Sequence, residues 1–486
     1  MTAADGPLYL ALDQGGHASR AMVYDRAGRT VVRAVVEVGV SRIDADRVEQ
    51  DGDELARSLI LAAQQALASL GPDAARIVAA GLATQRASIA CWDRDSGATL
   101  APVLSWQDRR ASASLAALNL DIQTVHQITG LRPSPHYGAS KLAWCLGKLA
   151  PVSNALAQGR LVFGPLASFL VYRLTRERTI AADPANAQRT LLYDIHARHW
   201  SGELARAFGI PLAALPRTVP TRHAFGHIQA GNHAIPLEVV TGDQSAALFA
   251  FGNPVADTLF INLGTGAFLQ RVASADPYDP GNAALLYSVA MDDGARTVYT
   301  QEGTVNGAGA ALAWYAADRG VADIESHLGE WMDTVRTPPF FMNGVSGLGS
   351  PYWVPDFPIE FIDDATTEPG PAAETVAILE SIVFLVMANI EATQHGGEPV
   401  KRIVATGGLA HVDGLCQRIA NVSGIPVTRP AETEATARGL AWLLAAEPRY
   451  WPEEKAGAIF MPQPDDALRA RYQRWRELTE RLVGRA

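Results

Sequence analysis

Cysteine is scarce in this chain. Three residues, Cys91, Cys145 and Cys416, are spread over 486 positions, and no two form a CxxC pair. That excludes a disulfide-framed fold and a thiol-rich metal site, and it points to a reducing compartment. Long apolar runs are missing too: the longest without alanine is Ile382 to Met387, far below the about 20 residues of a membrane-spanning helix. The opening MTAADGPLYLALDQ lacks the charged start and apolar stretch of a secretory signal. Basic clusters are absent, and 41 Lys+Arg stand against 51 Asp+Glu for a net charge of −10, so no nucleic-acid surface is expected. There is no GxxxxGK[ST] loop, and Gly264-Thr-Gly-Ala-Phe-Leu269 and Gly307-Ala-Gly-Ala-Ala-Leu312 lack the last glycine of a dinucleotide fingerprint. The expectation is a soluble cytoplasmic protein with no membrane insertion.

What is present is enough for two large cores. With 48% hydrophobic and 19% charged residues, a chain of this length is read as two domains. Leu8–Leu12, Ala21–Tyr24 and Thr30–Val38 read as a meander of strands. Residues 51–70 follow with helical spacing, placing Leu55, Leu59, Ala62, Ala63 and Ala66 on one face, and Ile77–Gly81 reads as a buried strand. The second half repeats the phrase: Thr258–Leu263, a glycine turn, Phe268–Val272, a helix-like stretch at 374–394, and Arg402-Ile-Val-Ala-Thr-Gly-Gly408 echoing Arg76-Ile-Val-Ala-Ala-Gly81. This predicts a duplication of an α/β unit. The boundary is placed at Phe251-Gly-Asn-Pro254, where a helical run ends at Gly and Pro. Residues 356–372 read as a surface loop and 466–484 as a solvated helix.

Three glycine turns close apolar strands: Asp13-Gln14-Gly15-Gly16, Gly264-Thr265-Gly266 and Gly407-Gly408. Glycine lets backbone N–H groups approach phosphate oxygens closely, although any strand can end on glycine. Asp243, in Thr241-Gly-Asp-Gln244, follows the strand-like Leu237–Val240. It reads either as a helix N-cap or as a carboxylate that takes a proton from a substrate hydroxyl. Asp13 has the same two readings, cap or partner of a hydrated divalent cation. Thr84-Gln-Arg86 and Trp106-Gln-Asp-Arg-Arg110 suit a polyhydroxy ligand or a surface turn. The pairs His196/His199 and His223/His227 lack an HExxH pattern and are read as surface or packing residues.

Taken in order, these segments resemble the FGGY family of carbohydrate kinases, its glycerol kinases most of all. The resemblance is carried by DQGGHASRAMVYD from Asp13, GLATQRASIACWD from Gly81, SWQDRR from Ser105, TGLRPSPHYGASKLAW from Thr129, ADPANAQRTLLYDIHARHW from Ala182, TGDQSAALF from Thr241, LGTGAF from Leu263, GLGSPYW from Gly347, and ATGGLAHVDG with ETEATARGLAW. It implies an α/β chain of the actin-like, ribonuclease H-like ATPase fold, with two duplicated domains around a central cleft. Residues 1–251 would form the acceptor and phosphate side, and 252–486 the nucleotide side. It implies MgATP-dependent phosphorylation of a hydroxyl on a small polyol or sugar, and a homodimer or homotetramer. By that resemblance Asp243 is the general base, and Asp13 and Asp243 attend the Mg2+. Arg86, Ala87, Trp106, His136, Tyr137, Asp243, Gln244 and Phe268 line the acceptor pocket. Asp13, Gln14, Gly15, Gly16, His17, Arg20, Gly264, Thr265, Gly266, Gly309, Gly407, Gly408 and Val412 attend ATP.

The departures fall on these same positions. Where glycerol kinases carry Arg-Glu, this chain has Arg86-Ala87, which removes an acceptor for substrate hydroxyls. His136 and Tyr137 stand for the family's Tyr and Phe, and Val412 for an adenine-side Asn. The phosphate turn has Gly16-His17 in place of Thr-Thr. Gly231-Asn-His-Ala234 lacks the Gly-Gly-x-Arg that binds fructose bisphosphate, so that regulation is not expected. Two other readings follow: a kinase for ribulose, xylulose or erythritol, and a non-catalytic sugar or nucleotide sensor of the same fold. An actin- or chaperone-like ATPase with a protein partner is a third, and the acceptor-side motifs at 81–110 count against it.

Overall fold

A computed structural model describes residues 6–273, 284–363, 370–394, 398–432, 434–446, 448, 451 and 456–484. The chain divides into two units, both discontinuous in sequence. The first comprises Met1–Pro254, Tyr287–Tyr299 and Glu434–Glu453; the second comprises Val255–Leu286, Thr300–Thr433 and Glu454–Ala486. The sequence reading places one division after Phe251; the structure instead returns two later segments to the first unit. Contacts between residues far apart in sequence explain this, and composition does not reveal them. Tyr287 N–H donates to the Gly130 carbonyl at 2.8 Å, and Trp442 of the helix Ala435–Leu444 stacks on Phe249 with ring centroids 5.2 Å apart.

The first unit is built on a six-stranded sheet. In order across it lie His227–Ala230, His233–Gly242, Ile77–Thr84, Leu8–Gln14, Ala18–Asp25 and Thr30–Glu37. Leu8–Gln14 pairs antiparallel with Ala18–Asp25 and parallel with Ile77–Thr84, which in turn pairs parallel with His233–Gly242. The register aligns Gln14, Thr84 and Gly242. Three parallel strands therefore end level, which is where open α/β sheets receive ligands.

The helix Gly52–Leu70 covers this sheet, and Leu55, Leu59, Ala62, Ala63 and Ala66 are all buried, as its spacing predicts. Each buried leucine is worth about 1.5–3 kcal/mol relative to exposure. Asp51 caps the helix by accepting from the N–H groups of Asp53 and Glu54 at 2.8 and 3.2 Å.

The second unit repeats the plan. Six of the seven strands of its sheet run, in order, Thr297–Val305, Ala267–Val272, Thr258–Leu263, Arg402–Thr406, Val427–Pro430, Ala456–Phe460, with Leu286–Asp292 at the edge beside Thr297–Val305. The pairings are again antiparallel, antiparallel, parallel, parallel and antiparallel. Thr258–Leu263 and Arg402–Thr406 occupy the places of Leu8–Gln14 and Ile77–Thr84, so the sequence echo at 76 and 402 falls on corresponding strands. Pro371–Gln394 is the helix before that strand, as Gly52–Leu70 is in the first unit. Among the described residues it is the one helix long and apolar enough to cross a membrane, and 89% of its apolar window is buried inside the protein. It is the core helix of this unit.

Two expectations change here. The segment expected as a loop at 356–372 contains a strand, Ile359–Ile362, paired with Phe340–Asn343; residues 364–369 lie outside the described residues. The tail Asp466–Val483 is helical but not freely solvated. Leu468, Tyr472, Trp475 and Leu478 are buried in the core at i, i+4, i+7 and i+10, and the interleaved Arg and Glu residues mask that stripe in sequence.

Candidate active site

The level strand ends of the first unit place two carboxylates at one edge of its sheet. Asp13, next to last in Leu8–Gln14, is buried and accepts from Arg20 Nη1 at 3.3 Å. Burial, reinforced by the nearby Asp243 carboxylate, pushes its pKa up to about 7, against the pull of Arg20. The turn after it is tight: Gly15 N–H donates to the Ala18 carbonyl at 3.0 Å. A side chain at Gly16 would meet open space. Gln14 is fully buried, with its amide engaged by Ser19 and the Gly15 carbonyl. His17 is exposed beside the turn. Arg20 also faces Glu434 at 3.6 Å, and Arg33 pairs with the same carboxylate at 2.6 Å.

Asp243 is not the helix cap. Gly242 occupies that position, and Asp243 is the first residue of the helix Asp243–Ala247. Its Oδ1 accepts the N–H of Gln244 at 2.7 Å. The residue is half-buried, and neighbouring atoms crowd the carboxyl. Burial raises its pKa, and the Arg86 guanidinium, the Gln244 N–H and Arg189 oppose that rise. Arg86 donates to the Gln244 side chain. It lies so close over Gly242 that a Cβ there would sit 2.5 Å from Arg86 Cγ, so glycine is required.

These two carboxylates offer hard oxygen ligands whose mutual repulsion a divalent cation relieves. Among the described residues no group of three or more His, Cys, Asp or Glu side chains could hold a metal. The donor set therefore fits Mg2+, which binds through one or two carboxylates, waters and substrate phosphates.

The acceptor-side residues gather around the same edge. Ala87 has a left-handed backbone with φ 64°. Trp106 N–H donates to Ser88 Oγ at 2.9 Å, and the Trp106 carbonyl lies 3.1 Å from His136 Nδ1. A carbonyl can only accept, so Nδ1 carries the proton. Burial, with Lys141 and Arg109 nearby, lowers the His136 pKa and keeps the ring neutral, although the bond to Trp106 opposes this. Nε2 is then an acceptor. Tyr137 lies under the Arg189 guanidinium at 5.9 Å.

In the second unit, Gly264-Thr265-Gly266 turns between Thr258–Leu263 and Ala267–Val272, the counterpart of the Gly15-Gly16 turn. Gly309 N–H donates to the Gly264 carbonyl at 3.0 Å, and a Cβ at Gly309 would lie 2.9 Å from that oxygen. Thr265 is exposed and Phe268 half-buried. Gly407 has φ 92° and backs onto Leu263, where a Cβ would fall 2.5 Å from the carbonyl oxygen. Gly408 opens the turn Gly408–His411, and Val412 leads into the helix Asp413–Ser423. Phe268 thus belongs to the second unit, whereas the other acceptor-side residues belong to the first.

Sequence reasoning missed several supports. Gln50 donates to the Gly16 carbonyl at 3.0 Å and accepts from Gln85 at 2.7 Å, bracing the phosphate turn. Arg189, within the quoted segment from Ala182, donates to Ser288 Oγ at 2.8 Å. Glu434, Lys141 and Gly439 were likewise not singled out. The histidine pairs behave as read: His227 pairs with Glu177 at 2.9 Å, and His196 Nε2 lies 3.2 Å from the Gln127 carbonyl.

A repeated sheet with a glycine turn after each first strand, and a pair of carboxylates at the strand ends of one copy, describes a phosphotransferase of the actin-like ATPase fold. Residues 8–250 match the N-terminal domain of the FGGY family of carbohydrate kinases, and residues 259–447 match its C-terminal domain. The chain belongs to the FGGY family of carbohydrate kinases. It is 34% identical to a glycerol kinase of Polaromonas naphthalenivorans over 449 residues, covering 89% of each chain. To a glycerol kinase of Trichlorobacter lovleyi it is 33% identical over 495 residues, covering 98% of each. The crystal structure of Plasmodium falciparum glycerol kinase with ADP matches with a TM-score of 0.87 at 21% identity, over 98% of this chain and 99% of that one. A xylulose kinase from Lactobacillus acidophilus matches with a TM-score of 0.83 at 18% identity, covering 98% of each chain. The protein is a kinase that uses ATP with Mg2+ to phosphorylate an alcohol group of a polyol or sugar.

Proposed function

We propose that Asp243 is the general base of this kinase. The acceptor hydroxyl gives its proton to the Asp243 carboxylate, its oxygen bonds to the γ-phosphorus, and ADP leaves with the electrons of the broken P–O bond. The observation that carries this reading is the place of the half-buried Asp243 at the strand end, with Arg86 and Gln244 beside it and the cap position already filled by Gly242. Arg86 and Arg189 resist neutralisation of a crowded carboxyl and keep it able to take a proton. Asp13 and Asp243 would hold Mg2+, which would supply charge neutralisation at the phosphates. The turns at Gly15, Gly16 and His17 and at Gly264, Thr265 and Gly266, with Arg20, receive phosphate oxygens. Gln14 shapes its turn from within. Gly309, Gly407, Gly408 and Val412 face the nucleotide.

For the acceptor, Arg86, Trp106, His136, Tyr137 and Gln244 of the first unit line the pocket. Ala87 leaves room where the family carries a glutamate, so a polyol longer than glycerol, such as a tetritol, or a ketose fits this pocket. A cytoplasmic location is supported by three cysteines that are free and buried. Assembly as a homodimer or homotetramer follows from family resemblance alone.

The test is ADP release with MgATP against a panel of glycerol, erythritol, ribulose and xylulose. Asp243→Asn should lower acceptor-dependent turnover by about 10²–10⁴-fold, the contribution of a positioned base, at unchanged melting temperature. Turnover retained in that variant refutes the assignment. Acceptor-induced thermal stabilisation without turnover favours the sensor.

A further inference from the structure

Lys141, on the helix Gly138–Lys148, is fully buried, with 0% of its surface exposed. A buried ammonium is unfavourable unless its donors are satisfied, and here Nζ bonds two main-chain carbonyls. Nζ donates to the Ser105 carbonyl at 2.7 Å and to the Ala87 carbonyl at 3.2 Å. Ala87 directly follows Arg86 and holds a left-handed backbone; Ser105 directly precedes Trp106. The Trp106 carbonyl in turn receives His136 Nδ1. One side chain therefore ties together the two backbone segments that carry Arg86 and Trp106, and through Trp106 it reaches His136.

We infer that Lys141 is a positioning residue of the acceptor pocket, holding the Ala87 and Ser105 carbonyls so that Arg86 and Trp106 meet the acceptor in a fixed arrangement. The inference rests on the reading of those two residues as acceptor-binding. It also makes acceptor binding sensitive to pH. The groups that act on Lys141 are Asp108, which favours the charged form, Arg110, which opposes it, and the Cys145 thiol on the same helix; the neighbouring His136 is held neutral. Asp108 is itself engaged by Arg110 at 2.7 Å and by Val48 N–H at 2.8 Å. Burial brings the ammonium down to about 7. As pH rises through that value the amine loses its charge, and its bonds to the two carbonyls lose their charge assistance.

The experiment measures initial rates against the best acceptor of the panel, at saturating MgATP, between about pH 6 and 8.5. Saturating MgATP matters because Asp13 also titrates at about 7. In the wild type, acceptor KM should rise across this range more than kcat falls. Lys141→Met should raise acceptor KM by about 10–100-fold, the range of one charge-assisted hydrogen bond, make it independent of pH, and leave KM for MgATP unchanged. Lys141→Arg, charged throughout, should recover part of the lost affinity and remain flat with pH. A folded Lys141→Met variant with wild-type acceptor KM overturns the inference, as does one in which both KM values move together. Should that variant fail to fold, a wild-type acceptor KM that is flat with pH overturns it instead. Absence of turnover with every acceptor refutes the reading of the pocket and Lys141's role with it; turnover with a KM indifferent to Lys141 refutes the role alone.

Discussion

Replacing Gly439 with alanine would put a Cβ 1.8 Å from the carbonyl oxygen of Ala246 and 2.7 Å from its carbonyl carbon. Gly439 lies on the helix Ala435–Leu444, and Ala246 on the short helix that begins with Asp243. The two helices are further joined by Thr436 Oγ1 donating to the Asp243 carbonyl at 3.3 Å. Real Cβ atoms essentially never come nearer than 3.0 Å, so the backbones must part by about 1.2 Å, the shortfall between that limit and 1.8 Å. Both clashing groups are main chain, and no flexible side chain can absorb the change. Asp243→Asn removes the proposed base; Gly439→Ala keeps every reacting group chemically intact but shifts one of them. A misplacement of about 1 Å can reduce rate by about 10²-fold, so kcat/KM for the acceptor should fall by about that factor. Overpacking of this kind destabilises by about 1–3 kcal/mol, and the melting temperature should fall by several degrees. Gly329→Ala is the control. It lies in the helix Ile324–Thr334, where a Cβ meets open space, and should gain about 0.5–1 kcal/mol with unchanged activity. The assay is coupled ADP release with thermal denaturation of the same samples. A folded Gly439→Ala enzyme within about threefold of wild-type kcat/KM would refute the claim that this contact sets the position of the base.

Asp13 gives a test through pH. Its pKa is raised from 3.8 to about 7 in the folded protein, so its contribution to stability is full below about pH 4 and is lost as pH rises through 7. Metal-free wild type should lose melting temperature between about pH 4 and 7, with Asp13→Asn showing a flatter profile; MgATP should restore the wild type at the upper end and not the variant. A flat wild-type profile would be evidence against the crowded carboxylate pair. Ala87→Glu restores a carboxylate without new backbone strain, because alanine already holds the left-handed conformation. Glycerol preference over erythritol should rise by about tenfold or more, and unchanged kcat/KM ratios across the panel would refute this account of the pocket.

Local features were legible where local chemistry decides them. The 3.6-residue spacing of Leu55, Leu59, Ala62 and Ala66 identified a buried helix face, and glycine turns marked the ends of strands. The echo of residues 76–81 at 402–407 announced a duplicated sheet because both segments fill the same strand position. Asp243 was ambiguous because a carboxylate at a strand end suits both capping and catalysis. The geometry at Gly242 removes the cap reading. Lys141, Gln50, Arg189 and Gly439 act on residues tens to hundreds of positions away, and no spacing rule reaches so far. The helix at 466–483 misled for another reason: its buried stripe is narrow, and charged residues dominate its composition.

The first unit's discontinuity bears on how the protein is made. The helix that packs against Asp243–Ala247 is synthesised long after it. At about 5–20 residues per second, the ribosome adds Ala435–Leu444 on the order of 10–40 s after Asp243–Ala247 has emerged. During that interval the ends of Leu8–Gln14 and His233–Gly242 have their hydrogen bonds but not their buttress, and Phe249 lacks the Trp442 ring that covers it. A fragment ending at residue 254 would remain in that half-made condition permanently. The first unit is therefore incomplete until Ala435–Leu444 has been made, and a nascent chain stalled before that point would leave Phe249 without its covering ring.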